Sequence, residues 1–209
     1  MIIYACTGNP GKLREFALAA RNAGTAGIFI EPLPGLKDIP SPEETGKSFE
    51  ENAVLKAIYY SGFTSELVFA DDSGIEVDAL NGAPGVYSAR FAGADATDTD
   101  NNQLLLTRLG SAENRNGRFV CVIAVAHQGK LVRTFRRTVE GEILRELRGA
   151  GGFGYDPLFF YPPLQKTLAE LPPEEKFSVS HRGKALRAMI EWLAKATVIK
   201  VDSGETAET

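Results

Sequence analysis

With 209 residues, 44% of them apolar and 24% charged, the chain has the make-up of a globular protein long enough to bury a sizeable core. A formal net charge of −4 argues against a general nucleic-acid binder, although a small polyanion in a local basic pocket remains compatible with it. Cys6 and Cys121 form no CxxC or zinc spacing, and no apolar run nears the length of a membrane span. Reduced core thiols, a cytoplasmic location and no membrane partner are therefore expected.

Residues 2–6 (Ile-Ile-Tyr-Ala-Cys) predict a strand, followed by the turn Thr7-Gly8-Asn9-Pro10-Gly11. Leu13, Phe16, Ala17 and Ala20 then recur at helical spacing. Ile28-Phe29-Ile30 predicts a second strand, and Pro32, Pro34, Gly35, Pro40 and Pro42 mark an irregular segment after it. Ser48-Phe49-Glu50-Glu51 has the capping-box form and opens a helix expected to run to about Ser61. Leu67-Val-Phe-Ala70 is an apolar strand that leads into Asp71-Asp72, with Ser73-Gly74 expected to turn the chain and Ile75-Glu76-Val77-Asp78 to form a separate short strand. A helix over Thr97–Leu109, a hairpin of 118–126 and 131–139 around Gln128-Gly129, a strand at 158–160 and a last helix at about 183–195 complete the pattern. These elements predict an α/β domain over 1–202, with a central mixed sheet, a second lobe built by the hairpin, and a disordered polar tail at 203–209.

Two adjacent carboxylates at the end of a buried strand cost free energy unless a cation or hydrogen-bond donors meet them. Carboxyl ends of strands in α/β sheets are also where ligands bind. Asp71 and Asp72 therefore point to a metal-assisted site. Consecutive strand side chains face opposite ways, so one aspartate is expected to face the reaction and the other to support it.

Other segments supply partners for that pair. Thr7-Gly8-Asn9-Pro10-Gly11-Lys12 joins a strand to a helix, where glycines and a helix N-terminus favour an anion. It is not a Walker A loop, because only two residues separate Gly8 from Gly11 and Leu13 stands where Ser or Thr would hold magnesium. Glu43-Glu44-Thr45-Gly46 is a second acidic cluster, either surface charge or magnesium-binding oxygen. Lys56, on the helix after it, either enters the same site or is solvated. Gly151-Gly152-Phe153-Gly154-Tyr155-Asp156 offers stacking faces among glycines, and Lys176, His181 and Arg182 bring cations and an imidazole before the last helix.

In this order, TGNPGK (7–12), EETGKSFEENAVLKA (43–57), ADDSGIEVDALNGAPGVYSARFAG (70–93), GGFGYDPLFF (151–160) and EEKFSVSHRGKAL (174–186) closely resemble the inosine triphosphate pyrophosphatase (Ham1-like) family over about residues 2–195. The resemblance implies a long central mixed sheet, two lobes flanking a substrate cleft, and a homodimer. It also implies magnesium-dependent hydrolysis of ITP, dITP and XTP to the monophosphate and pyrophosphate, which clears deaminated purines from the nucleotide pool. Carried over, Thr7, Gly8, Asn9, Pro10, Gly11 and Lys12 would bind the triphosphate. Asp72 would be the catalytic acidic residue and a ligand, with Glu43, of magnesium; Glu43 matches the family's metal-binding glutamate better than Glu44. Ser73 would touch substrate. Phe153, Gly154, Tyr155 and Asp156 would hold the base and sugar, with Lys176, His181 and Arg182 completing the pocket. Lys12, Lys56 and Lys176 would offset phosphate charge, and His181 or Arg182 would read the 6-oxo edge of the purine.

Overall fold

The computed structural model describes residues 1–24 and 27–202, with side chains at all of these except 22 and 197–202. The expected tail at 203–209 lies outside them. β1 (Ile2–Ala5) leads through an Asn9-capped turn into α1 (Pro10–Ala23), with Pro10 in the first helical turn, where a missing N–H costs nothing. β2 (Phe29–Pro32) lies parallel to β1. α2 (Phe49–Tyr60) starts at Ser48, whose hydroxyl accepts the Glu51 N–H at 3.1 Å, while the Glu51 carboxylate reaches back to the Lys47 N–H.

β3 (Leu67–Val77) runs parallel to β1 and antiparallel to β4 (Asn116–His127), which forms a hairpin with β5 (Lys130–Ile143). Gln128 and Gly129 both take left-handed conformations, as a two-residue hairpin turn requires. β6 (Phe159–Tyr161) and β7 (Lys166–Thr167) complete a seven-stranded mixed sheet of order β2-β1-β3-β4-β5-β6-β7. The hairpin extends the central sheet itself, because β4 pairs with β3 from Val68↔Ala126 to Val77↔Gly117.

Gly74 corrects one expectation. It does not turn the chain, and β3 continues through it to Val77. A side chain there would meet the Gly85 carbonyl at 2.7 Å, and the Ile75 N–H donates to Ser88 Oγ at 2.9 Å. The glycine marks a close approach of the 85–90 segment to the strand.

Alternation along the strands sorts the core. Phe69, Cys121, Ile123 and Val125 face Phe16 and Ala19 of α1 and Ala185, Leu186 and Met189 of α5 (His181–Asp202), which follows the short α4 (Pro173–Val179). Val68, Ala70, Val122 and Ala124 face Phe49, Ala53 and Ala57 of α2. A third cluster packs Phe119, Val139 and Ile143 against α3 (Asp98–Leu109) and residues 155–171. Cys6 and Cys121 are both buried and free. No described helix is long and apolar enough to cross a membrane.

Candidate active site

β3 outruns β1. Their pairing ends at Ala5↔Phe69, where the β1 chain leaves for α1, so the next residues of β3 border an opening rather than a neighbouring strand. Asp71 and Asp72 lie there, on a cleft of about 330 Å³. An opening at the carboxyl end of β1, beside the middle of the longer β3, with α1 on one face and α2 on the other, is where an open α/β sheet binds ligands.

Asp71 faces the α5 side. Its Oδ2 lies 3.0 Å from Lys12 Nζ and 3.2 Å from Arg182 Nε, and it accepts a hydrogen bond from Ser73 Oγ at 3.3 Å. Burial alone would raise its pKa, but Lys12, Arg182 and Lys56 outweigh burial and hold it well below the ordinary carboxylate range. Each Arg182 nitrogen is engaged: Nε by Asp71, while Nη1 donates to Glu15 Oε2 and Nη2 to Ser73 Oγ at 2.6 Å. Glu15 also pairs with Lys176 at 2.8 Å, and these two cations overcome its burial to lower its pKa to about 2.

Asp72 faces α2. Its Oδ1 lies 3.1 Å from Lys56 Nζ, and its Oδ2 accepts from Asn52 Nδ2 at 3.3 Å. Asn52 Oδ1 in turn accepts the Gly46 N–H at 2.8 Å, which ties the acidic loop to the strand. Burial raises the Asp72 pKa, Glu44 adds to the rise, and Lys56 and Lys12 oppose it. Lys56 Nζ is also 2.6 Å from Glu44 Oε1, so two carboxylates from separate segments converge on one cation. Such hard oxygens suit a divalent ion that completes its shell with water and ligand oxygens. Among the described residues no cluster of three or more His, Cys, Asp or Glu could hold a metal alone.

The other end of the cleft is aromatic. Phe153 lies against Gly11, where an added Cβ would be 2.7 Å from the ring, and over Lys176 Nζ at 4.7 Å. Lys176 Nζ contacts Asp156 at 2.5 Å, and burial raises the Asp156 pKa. The Gly154 backbone is fixed from both sides: its N–H donates to Asp98 at 2.7 Å and its carbonyl accepts from Asn102 at 2.8 Å. The Tyr155 hydroxyl donates to the Ser88 carbonyl at 2.8 Å. His181 stacks on Phe119 at 4.6 Å. Burial, reinforced by Arg182, drives its pKa well below 6.5, and its Nδ1 has no hydrogen-bond partner.

Most of the residues expected from sequence line this one cleft: Thr7, Gly8, Asn9 and Lys12; Lys56, Asp72 and Ser73; the 153–156 run; and Lys176, His181 and Arg182. Three do not. Pro10 is exposed at the start of α1, Gly11 is buried beneath Phe153, and Glu43 is exposed while Glu44 lines the cleft. The acidic loop turns Glu44 inward because Lys56 and Arg90 meet it there. Both aspartates line the opening, although they face opposite sides of β3. Sequence reasoning did not single out Glu15, Asn52, Ser88, Arg90 or Asp98. Asn52, Ser88 and Arg90 do fall inside the quoted motifs, and an asparagine one helical turn before Lys56 was the available signal.

These features define an α/β protein whose sheet opens, where β1 ends beside the longer β3, on a charged and aromatic cleft suited to a small anionic ligand. The chain belongs to the Ham1 family, whose model matches residues 3–192. It is 49% identical over 195 residues to the dITP/XTP pyrophosphatase of Desulforamulus reducens, covering 92% of this chain and 96% of that protein. The dITP/XTP pyrophosphatase of Acidobacterium capsulatum is 49% identical over 200 residues, covering 91% and 97%. Among solved structures, the Ham1 protein of Staphylococcus aureus superposes with a TM-score of 0.82 at 39% identity, covering 94% of this chain and 100% of that one. A HAM1 protein from Coxiella burnetii gives 0.83 at 40%, covering 93% and 99%.

Proposed function

We propose that the chain hydrolyses non-canonical purine nucleoside triphosphates (dITP, ITP and XTP) to the monophosphate and pyrophosphate, and so clears deaminated purines from the nucleotide pool. The observation that carries this reading is the meeting, in one cleft, of the Asp72–Lys56–Glu44 group, the Thr7–Lys12 turn and the Phe153–His181 pocket. The naming of close relatives as dITP/XTP pyrophosphatases supports it.

In this mechanism the triphosphate lies along the Thr7–Lys12 turn, and the base enters beside Phe153 and His181. Glu44 and Asp72 would hold magnesium, which supplies positive charge to the phosphate oxygens when bound. Asp72 accepts a proton from the attacking water. The water oxygen bonds to the α-phosphorus, the bond to the bridging oxygen breaks, and pyrophosphate leaves. Lys12 and Lys56 face the developing charge, whereas Lys176 is held at the aromatic end by Glu15 and Asp156. Asp71 positions Lys12 and Arg182. With the Arg182 nitrogens engaged by Asp71, Glu15 and Ser73, the 6-oxo edge is left to neutral His181, which has an unpartnered ring nitrogen.

One α/β domain over 1–202, a homodimer and a cytoplasmic location belong to the same proposal. Two buried, free cysteines favour a reducing compartment. The test is to incubate the protein and magnesium with dITP, XTP, dGTP and dATP and identify each product. Pyrophosphate formed faster from dITP and XTP supports the reading. Equal rates on all four would remove the house-cleaning role, and orthophosphate release would remove the pyrophosphatase.

A further inference from the structure

Among the described residues, five cations line the cleft, and four of them lie 3.0 Å or less from a carboxylate: Lys12, Lys56, Lys176 and Arg182. Arg90 differs. Its Nη1 is 3.7 Å from Glu44, its guanidinium rests over the Tyr87 ring at 5.4 Å, and its side chain is 38% exposed against 15% or less for the other four.

The backbone beneath it is, by contrast, firmly built. Arg90 ends the 3-10 helix Gly85–Arg90, which Ser88 joins to β3 through the Ile75 N–H. The Tyr155 hydroxyl holds the Ser88 carbonyl, and buried Asn101 bonds both the Ala89 carbonyl and the Ala92 N–H. A loosely held arginine therefore stands on a fixed platform at the cleft. Glu44, Asp71, Asp72, Asp98 and Asp156 line the same cleft, and beside any magnesium that Glu44 and Asp72 would hold, Arg90 is the lining cation most free to leave its partner for a polyphosphate. Glu44 can release Arg90 and still keep Lys56 at 2.6 Å.

We propose that Arg90 is a phosphate ligand, leaving Glu44 to grip the terminal phosphates that depart as pyrophosphate. This rests on the functional reading above. The planar guanidinium fork matches paired phosphate oxygens in a way an ammonium does not. Lys12 and Lys56 then serve the reacting phosphate, and Arg90 serves the leaving group.

The test measures binding of two separate probes, inorganic pyrophosphate and dIMP, by calorimetry with magnesium, on the wild type, Arg90→Ala and Arg90→Lys. The expected result is at least about a tenfold loss of pyrophosphate affinity in Arg90→Ala, partial recovery in Arg90→Lys, and dIMP affinity within about twofold of wild type. Unchanged pyrophosphate affinity in Arg90→Ala, or an equal loss for both probes, would overturn the assignment. Failure of the wild type to release pyrophosphate from dITP would instead strike the functional reading, because pyrophosphate binding still judges Arg90 independently.

Discussion

Asp71 and Asp72 are adjacent in sequence but face opposite sides of β3, Asp71 into Lys12 and Arg182, and Asp72 into Lys56 and Asn52. One carboxylate is thereby held strongly ionised among cations, while the other keeps a higher proton affinity at the same opening.

Asp72→Asn keeps the shape and the Asn52 contact region but removes the proton acceptor. Turnover of dITP is expected to fall by about 10²–10⁴-fold with a melting temperature within a few degrees of wild type. Near-normal turnover would take Asp72 out of the mechanism.

Arg182→Met leaves Glu15 and Asp71 buried without their shared guanidinium. Breaking a buried ion pair in this way costs about 3–5 kcal/mol, measurable by urea unfolding. A loss below 1 kcal/mol, roughly the value of a surface pair, would contradict the burial argument.

The same network sets an acid limit. Glu15 and Asp71 have lower pKa values folded than unfolded, so the unfolded chain binds more protons at acid pH. Their contribution is complete above the ordinary glutamate value of 4.5 and drains as pH falls toward about 2. Urea midpoints taken down this range should fall steadily for the wild type and more shallowly for Glu15→Gln.

Gly11→Ala would push a methyl group against Phe153, 2.7 Å from its ring. The ring is a side chain and must tilt to admit the methyl group, so the fold should hold while KM for dITP rises more than kcat falls. The opposite split would place Phe153 away from the base. Gly74→Ala meets backbone instead, at the Gly85 carbonyl, and should destabilise by about 1–3 kcal/mol.

Local signals made much of this legible. The Asn9-Pro10 entry to α1, the Ser48 cap of α2 and the Gln128-Gly129 turn each act within a few residues, and each element formed where the pattern put it. Gly74 misled, because its partners Ser88 and Gly85 return from a later segment and a lone glycine carries no sign of that approach. Glu15 left no local trace, since its partner Arg182 lies 167 residues away. That Glu44 rather than Glu43 lines the cleft follows from Lys56 and Arg90, whose positions only the folded chain supplies.

The most direct measurement follows dITP hydrolysis in isotopically heavy water by phosphorus NMR. The expected products are dIMP and pyrophosphate, with the heavy oxygen on dIMP, because water bonds to the α-phosphorus. Heavy oxygen in pyrophosphate would contradict attack at the α-phosphorus, and release of orthophosphate would contradict the pyrophosphatase reading itself.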